Sequence, residues 1–175
     1  MGAELAEPGR KHLVPKDIVF LVDTREQRPL NFSAVPNRSL FRVEPATLVT
    51  GDYSVRGLEV SEICVERKSL ADLVQCCIGT NRERFEKEIQ RMKAFPCRLV
   101  VVEASWAEVC HGQWLSKIPP EAVKGSVMRW MGVGIPFHFA TSETDAASFV
   151  ANYMWLHAKS CWERLQAFNN ALRVG

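Results

Sequence analysis

The stretch Ile63-Cys64-Val65-Glu66-Arg67-Lys68-Ser69-Leu70-Ala71-Asp72 is an apolar run that ends in charge and passes directly into helix-start chemistry. In an extended strand successive side chains alternate between faces, so Glu66 and Lys68 share one face and Arg67 takes the other. Placing Glu and Lys on an otherwise apolar strand costs free energy unless the two pair or hold something. Upstream, Thr50-Gly51-Asp52 reads as a turn, and Asp52 stands fourteen residues before Glu66. One acid, followed by an acid and a lysine on a common strand face, is the set that phosphodiester hydrolysis calls for. Carboxylates hold a divalent cation against the phosphate, and a nearby ammonium steadies the charge that builds on phosphorus. A Glu-x-Lys triplet alone is common on solvated surfaces; its context gives it weight.

Downstream, Ser69 is placed to cap a helix, with Asp72 reaching back from the third helical position as a capping box. Residues 81–95 form a strong helix pattern with Phe85, Ile89 and Met92 on one side, stopped by Pro96. Residues 99–103 read as a short strand whose Leu99 to Val102 are wholly apolar, as expected of a strand buried on both faces. A short helix is predicted at 106–110, another from Pro119-Pro120 to about Met131, a strand at 136–140, and a long helix from about Ser142 to Arg173. Upstream, residues 17–23 read as a buried strand ending in Asp23-Thr24-Arg25-Glu26. A loop with Pro29 and Pro36 follows, then strands at 40–44, 53–60 and 63–68, with Gly57 as a hairpin point. The order predicts an α/β fold with an antiparallel start and a later β-α-β-α half.

At 175 residues the chain suits one domain. Residues 1–15 are polar and read as a loose arm, with the folded domain at 16–175. The longest apolar runs are strand-sized, so no membrane span is expected. The six cysteines lack paired metal spacing and the four histidines give no zinc pattern. An intracellular, reduced protein is the expectation. Net charge is +2, but residues 67–98 carry eight Lys/Arg against four Asp/Glu, an excess of four beside the proposed site.

Val22-Asp23-Thr24-Arg25-Glu26, Gly51-Asp52-Tyr53 and Val65-Glu66-Arg67-Lys68-Ser69-Leu70-Ala71-Asp72 resemble, in order and spacing, the nuclease domain of XPF-type structure-specific endonucleases. Every fixed position of that family's Gly-Asp…Glu-Arg-Lys-x-x-x-Asp pattern is matched, and the similarity spans about residues 18–160. Thr141 to Ala146 also looks like the family's threonine-rich turn into its last nuclease helix, although Asp145 departs from the usual spacing. The resemblance implies a restriction-endonuclease-like fold, with a central mixed β-sheet flanked by helices. It further implies dependence on Mg2+ or Mn2+ and cutting of DNA near junctions between duplex and single strand. Relatives usually continue into tandem helix-hairpin-helix motifs; residues up to Gly175 contain none. Some relatives have lost catalysis and serve as DNA-binding partner subunits, and a junction resolvase or defence nuclease of a mobile element is a third reading.

On this view Asp52 and Glu66 ligate the cation, with Asp23 and Glu26 in support, and Lys68 stabilises charge. Arg67 and Arg25 either pair internally or touch phosphate. Ser69 and Asp72 support the segment that carries Lys68. Arg82, Arg84 and Lys87 open a helix whose free N–H groups suit phosphate, although Glu83, Glu86 and Glu88 favour ordinary surface pairs. The last helix is apolar over much of its circumference: Phe149, Tyr153 and Leu156 on one stripe, and Val150, Met154, Cys161, Leu165, Phe168 and Leu172 on another. That breadth favours a homodimer through this helix, or a heterodimer.

Overall fold

The computed structural model describes residues 17–172; the arm expected at 1–15 lies outside them. Six strands form one sheet in the order β2-β1-β3-β4-β5-β6. They are β1 (Ile18–Asp23), β2 (Phe41–Ala46), β3 (Tyr53–Val55), β4 (Ile63–Ser69), β5 (Cys97–Glu103) and β6 (Phe137–Phe139). β3 runs antiparallel to both β1 and β4. β4, β5 and β6 are mutually parallel, and β2 lies parallel to β1. The expected α/β fold with a central mixed sheet flanked by helices is present.

Strand alternation sorts the core into two layers. Ile63 and Val65 of β4, with Leu99 and Val101 of β5, face a long helix, α5 (Glu143–Leu172), and pack on its Val150, Ala151 and Met154. Cys64, Val100 and Val102 face the opposite way, against α1 (Leu70–Gln75), α2 (Gly79–Met92), α3 (Trp106–His111) and α4 (Pro120–Gly132). The middle of β5 is therefore covered on both sides, which is why Leu99 to Val102 are all apolar. Glu66 and Lys68, in phase with Cys64, look toward α1 and α2 and not toward α5.

Four local readings need correction. The strand expected at 53–60 stops at Val55, because Gly57 turns the chain at φ +82° and Leu58 donates back to the Val55 carbonyl at 2.9 Å. The loop holding Pro29 and Pro36 contains two short 3-10 helices, Phe32–Ala34 and Arg38–Leu40. The helix expected from residue 81 begins earlier, at Gly79. At α1 the Ser69 hydroxyl accepts the Asp72 N–H at 3.1 Å, as expected of a cap, but it donates to the Asp72 carboxylate at 2.6 Å. The reciprocal capping box forms instead at Ser105 and Glu108, opening α3.

Candidate active site

The site is built where the turn before β3 presses against β4. Gly51 adopts φ +76°, and a Cβ there would sit 2.8 Å from the Val65 carbonyl oxygen. Only glycine allows that approach. It lets the Asp52 N–H donate to the Val65 carbonyl at 2.8 Å, while the Asp52 carbonyl accepts the Asp23 N–H at 2.8 Å. Asp52 thus ties β4 to β1 through its main chain. Its Oδ2 then accepts the Arg67 backbone N–H at 2.7 Å. Among the described residues no donor reaches Oδ1.

Glu66 is buried, and its Oε1 pairs closely with the Lys68 ammonium two residues on. Burial pushes the Asp52 carboxyl up to about 7, with the negative charge of Glu66 adding to the rise. Glu66 is raised for the same reason, burial first, with Lys68 opposing it. For Lys68, burial acts to lower the pKa but Glu66 more than compensates, so the amine stays protonated above its ordinary range. The Glu66 carboxylate thus favours the ammonium form of Lys68. Its Nζ also lies 5.2 Å from the centre of the Phe85 ring.

A cleft of about 340 Å³ opens over this pair, lined among others by Glu66, Lys68, Asp72, Arg84 and Glu88. Arg84 is exposed at its rim. Glu88 was not among the residues the motifs singled out. It lies on the inward side of α2, and its Oε1 accepts the Gly51 N–H at 3.2 Å while its other oxygen pairs with Arg91. The signal was present: Glu88 is a carboxylate within the apolar stripe of Phe85, Ile89 and Met92, where a solvated acid does not belong.

The remaining expected residues are placed differently. Asp23 is buried, and its two oxygens accept four hydrogen bonds: Oδ1 from the Arg25 amide and Nε, both at 2.8 Å, and Oδ2 from an Arg25 terminal nitrogen at 2.9 Å and the Leu48 N–H at 2.7 Å. The Arg25 hydrogen bonds hold its pKa down at about 2. Arg25 also donates to the Leu48 carbonyl, which leaves it pinned along the strand end. Arg67 is buried on the far face and forks onto Glu103 at 2.7 and 2.6 Å, with Glu26 at 3.7 Å. That is the internal pairing of the two alternatives. Glu26 receives the Arg28 N–H at 2.7 Å and adds negative charge around Asp52. Arg82 is likewise internal: it donates to the Cys77 carbonyl and, at 2.8 Å, to Ser126 of α4, and pairs with Glu86. Lys87 is exposed along α2, beside Glu83 and Glu86.

The residues present suit a hard divalent cation. Two carboxylates, half-buried Asp52 and buried Glu66, each keep one oxygen that no described donor reaches, and among the described residues neither belongs to a cluster of three or more His, Cys, Asp or Glu with donor atoms within 4.8 Å of one another. Mg2+ fits such a sparse set, since it keeps several waters and borrows phosphate oxygens.

A sheet of this topology, with an acid-acid-lysine set at the ends of β3 and β4, defines the nuclease-domain class that the motifs suggested. Residues 22–153 match the ERCC4 domain, and the chain belongs to that family. Its fold is similar to that of XPF from Aeropyrum pernix, with a TM-score of 0.60 at 19% identity over 89% of this chain and 73% of the other. The same archaeal protein in complex with DNA matches with a TM-score of 0.55 at 22% identity, over 81% of this chain and 66% of that one. No relative is found among curated proteins. Among the described residues no helix is long and apolar enough to cross a membrane.

Proposed function

We propose that this domain is a Mg2+- or Mn2+-dependent endodeoxyribonuclease that cuts near junctions between duplex and single-stranded DNA. The observation that carries the reading is the set of two carboxylates, half-buried Asp52 and buried Glu66, with Glu66 and the Lys68 ammonium lining an open cleft. Burial of two acids is costly unless a cation neutralises them. Asp52 and Glu66 would hold the ion, and the ion would neutralise phosphate charge and lower the pKa of water. Lys68 keeps Glu66 ionised and presents positive charge to the phosphate. Glu88 fixes the Gly51 turn and so aims Asp52. Asp23, with every lone pair taken, acts as a brace. Arg84 at the rim, with Lys87 further along α2, meets the DNA backbone. The solved DNA complex of the archaeal XPF, which shares this fold, supports a nucleic-acid substrate. Pairing of two copies is assigned to the outer half of α5, where Leu165, Phe168 and Leu172 are 54%, 61% and 66% exposed.

The test is a panel of labelled single-stranded, duplex, 3′-flap, splayed-arm and four-way DNA, with and without Mg2+ or Mn2+, for the wild type and Glu66→Gln. Metal-dependent cuts near a branch, absent in the variant, are expected. Cleavage that persists in Glu66→Gln, or that needs no metal, refutes the assignment.

A further inference from the structure

At the opposite end of β4 from Glu66, the turn residue Glu62 meets the middle of α5. His157 and Cys161, four residues apart on one side of that helix, point at it. The His157 Nε2 to Glu62 Oε2 distance is 3.6 Å. Cys161 Sγ lies 3.5 Å from the same imidazole nitrogen and 3.9 Å from the same carboxylate oxygen. These contacts are too long for good hydrogen bonds between nitrogen and oxygen. They match another geometry. Around a tetrahedral Zn2+, with bonds of about 2.0–2.3 Å, neighbouring nitrogen and oxygen ligands stand about 3.4 Å apart and a sulfur about 3.6 Å from either. Three donors of different chemistry thus stand within about 0.3 Å of the edge lengths of a zinc tetrahedron.

We propose that Glu62, His157 and Cys161 form a binding site for Zn2+ or a similar borderline transition-metal ion, with water in the fourth position. The donor set selects against Mg2+, which disfavours thiolate and imidazole, so this site and the oxygen-only site at Asp52 and Glu66 discriminate between metals. It is also the one cluster of at least three His, Cys, Asp or Glu among the described residues whose donor atoms all fall within 4.8 Å of one another. Arg164 also faces the cluster, with a guanidinium nitrogen 3.0 Å from Cys161 Sγ and 3.8 Å from Glu62 Oε2. That side chain is 67% exposed, so it can swing into solvent when an ion enters. Sequence spacing did not reveal the site because its third ligand comes from a turn almost a hundred residues away in the chain; His-x-x-x-Cys on a helix was the only local sign.

The location gives the site a consequence. The last buried residue of α5 is Ala158. Metal binding therefore fastens the helix to the sheet at the point where the helix leaves the body of the domain.

The experiment uses the whole chain, stripped of metal by chelation and titrated with Co2+ in excess Mg2+. The expected result is one tight equivalent, four-coordinate d–d bands, a near-ultraviolet thiolate-to-metal charge-transfer band, and displacement of that spectrum by Zn2+. Cys161→Ser should lose the charge-transfer band. His157→Gln and Glu62→Gln should weaken Co2+ binding at least ~100-fold, the upper end of what losing even an outer-sphere partner costs. Asp52→Asn should leave the spectrum unchanged. A wild type without the thiolate band overturns the proposal, as does a band that survives Cys161→Ser or an affinity untouched by His157→Gln. Because the wild type must itself show the band, misfolding of a variant cannot rescue the idea.

Discussion

Asp52→Asn should make the metal-free domain more stable at neutral and alkaline pH. The Asp52 carboxyl rises from 3.8 to about 7 on folding, because burial and the charge of Glu66 penalise its ionised form. Below 3.8 both folded and unfolded chains hold the proton and the group contributes nothing. Between 3.8 and about 7 the unfolded chain releases its proton while the native state keeps it, so stability falls as pH rises. Above 7 the full cost applies. About three pKa units at 1.36 kcal/mol each set an upper bound near 4 kcal/mol; because Glu66 shares the effect, ~2–4 kcal/mol is the working range. Asparagine keeps an oxygen for the Arg67 N–H but carries no charge. At pH 8 even the lower figure corresponds to a Tm gain of roughly 4–8 °C for a domain of this size. By pH 4.5 most of the gain should vanish. Calorimetry at the two pH values, with and without Mg2+, tests this directly. Mg2+ should raise the wild-type Tm at pH 8 and leave the variant unmoved. A variant that is less stable at pH 8, or whose gain is the same at both pH values, would refute the burial argument.

Three further outcomes can be checked. Gly51→Ala places a Cβ 2.8 Å from the Val65 carbonyl oxygen at a positive φ, so urea unfolding should show a loss of about 2 kcal/mol or more, with cleavage lost too; wild-type stability would remove the close-approach argument. Arg84→Ala should weaken DNA binding and flatten its salt dependence by about one unit, whereas Arg82→Ala should lower Tm and leave the salt slope alone; equal salt slopes for Arg84→Ala and wild type would take Arg84 off the DNA path. Asp23→Asn should cost about 2 kcal/mol without any metal present, through lost charge-assisted hydrogen bonds. Since the Asp23 pKa is lowered to about 2, its stabilisation is present above 3.8 and fades as pH falls toward 2, so wild type and variant should converge in acid.

The fold was readable in this sequence where periodicity and burial agree. The all-apolar run at residues 99–102 declares a strand covered on both faces, and Phe85, Ile89 and Met92 declare the inner side of α2. The Glu66 and Lys68 pairing followed from strand alternation alone. What alternation could not give was the partner of each charge. Arg67 has a diagonal neighbour, Glu103, only because β4 and β5 lie parallel in a register that sets Ser69 opposite Glu103. Arg82 is drawn inward by Ser126, forty-four residues on. Asp23 and Asp52 look equivalent as strand-end acids, yet one is saturated by Arg25 and Leu48 and the other keeps a free oxygen. That difference is decided by the path of the loop at residues 47–50, which no local pattern encodes.

The thirty-residue α5 is unusual for a domain of this size, and it behaves as two objects joined end to end. Its inner length is rooted among Ala146, Val150 and Met154 and still touches Glu62 through Cys161 and Arg164, while its outer length runs on for eight residues past Arg164, a cantilever of about 12 Å. A load applied at Leu172 is thus delivered as torque to the strands on which the inner length rests. Whatever grips the free end gains mechanical leverage over the sheet without approaching the cleft.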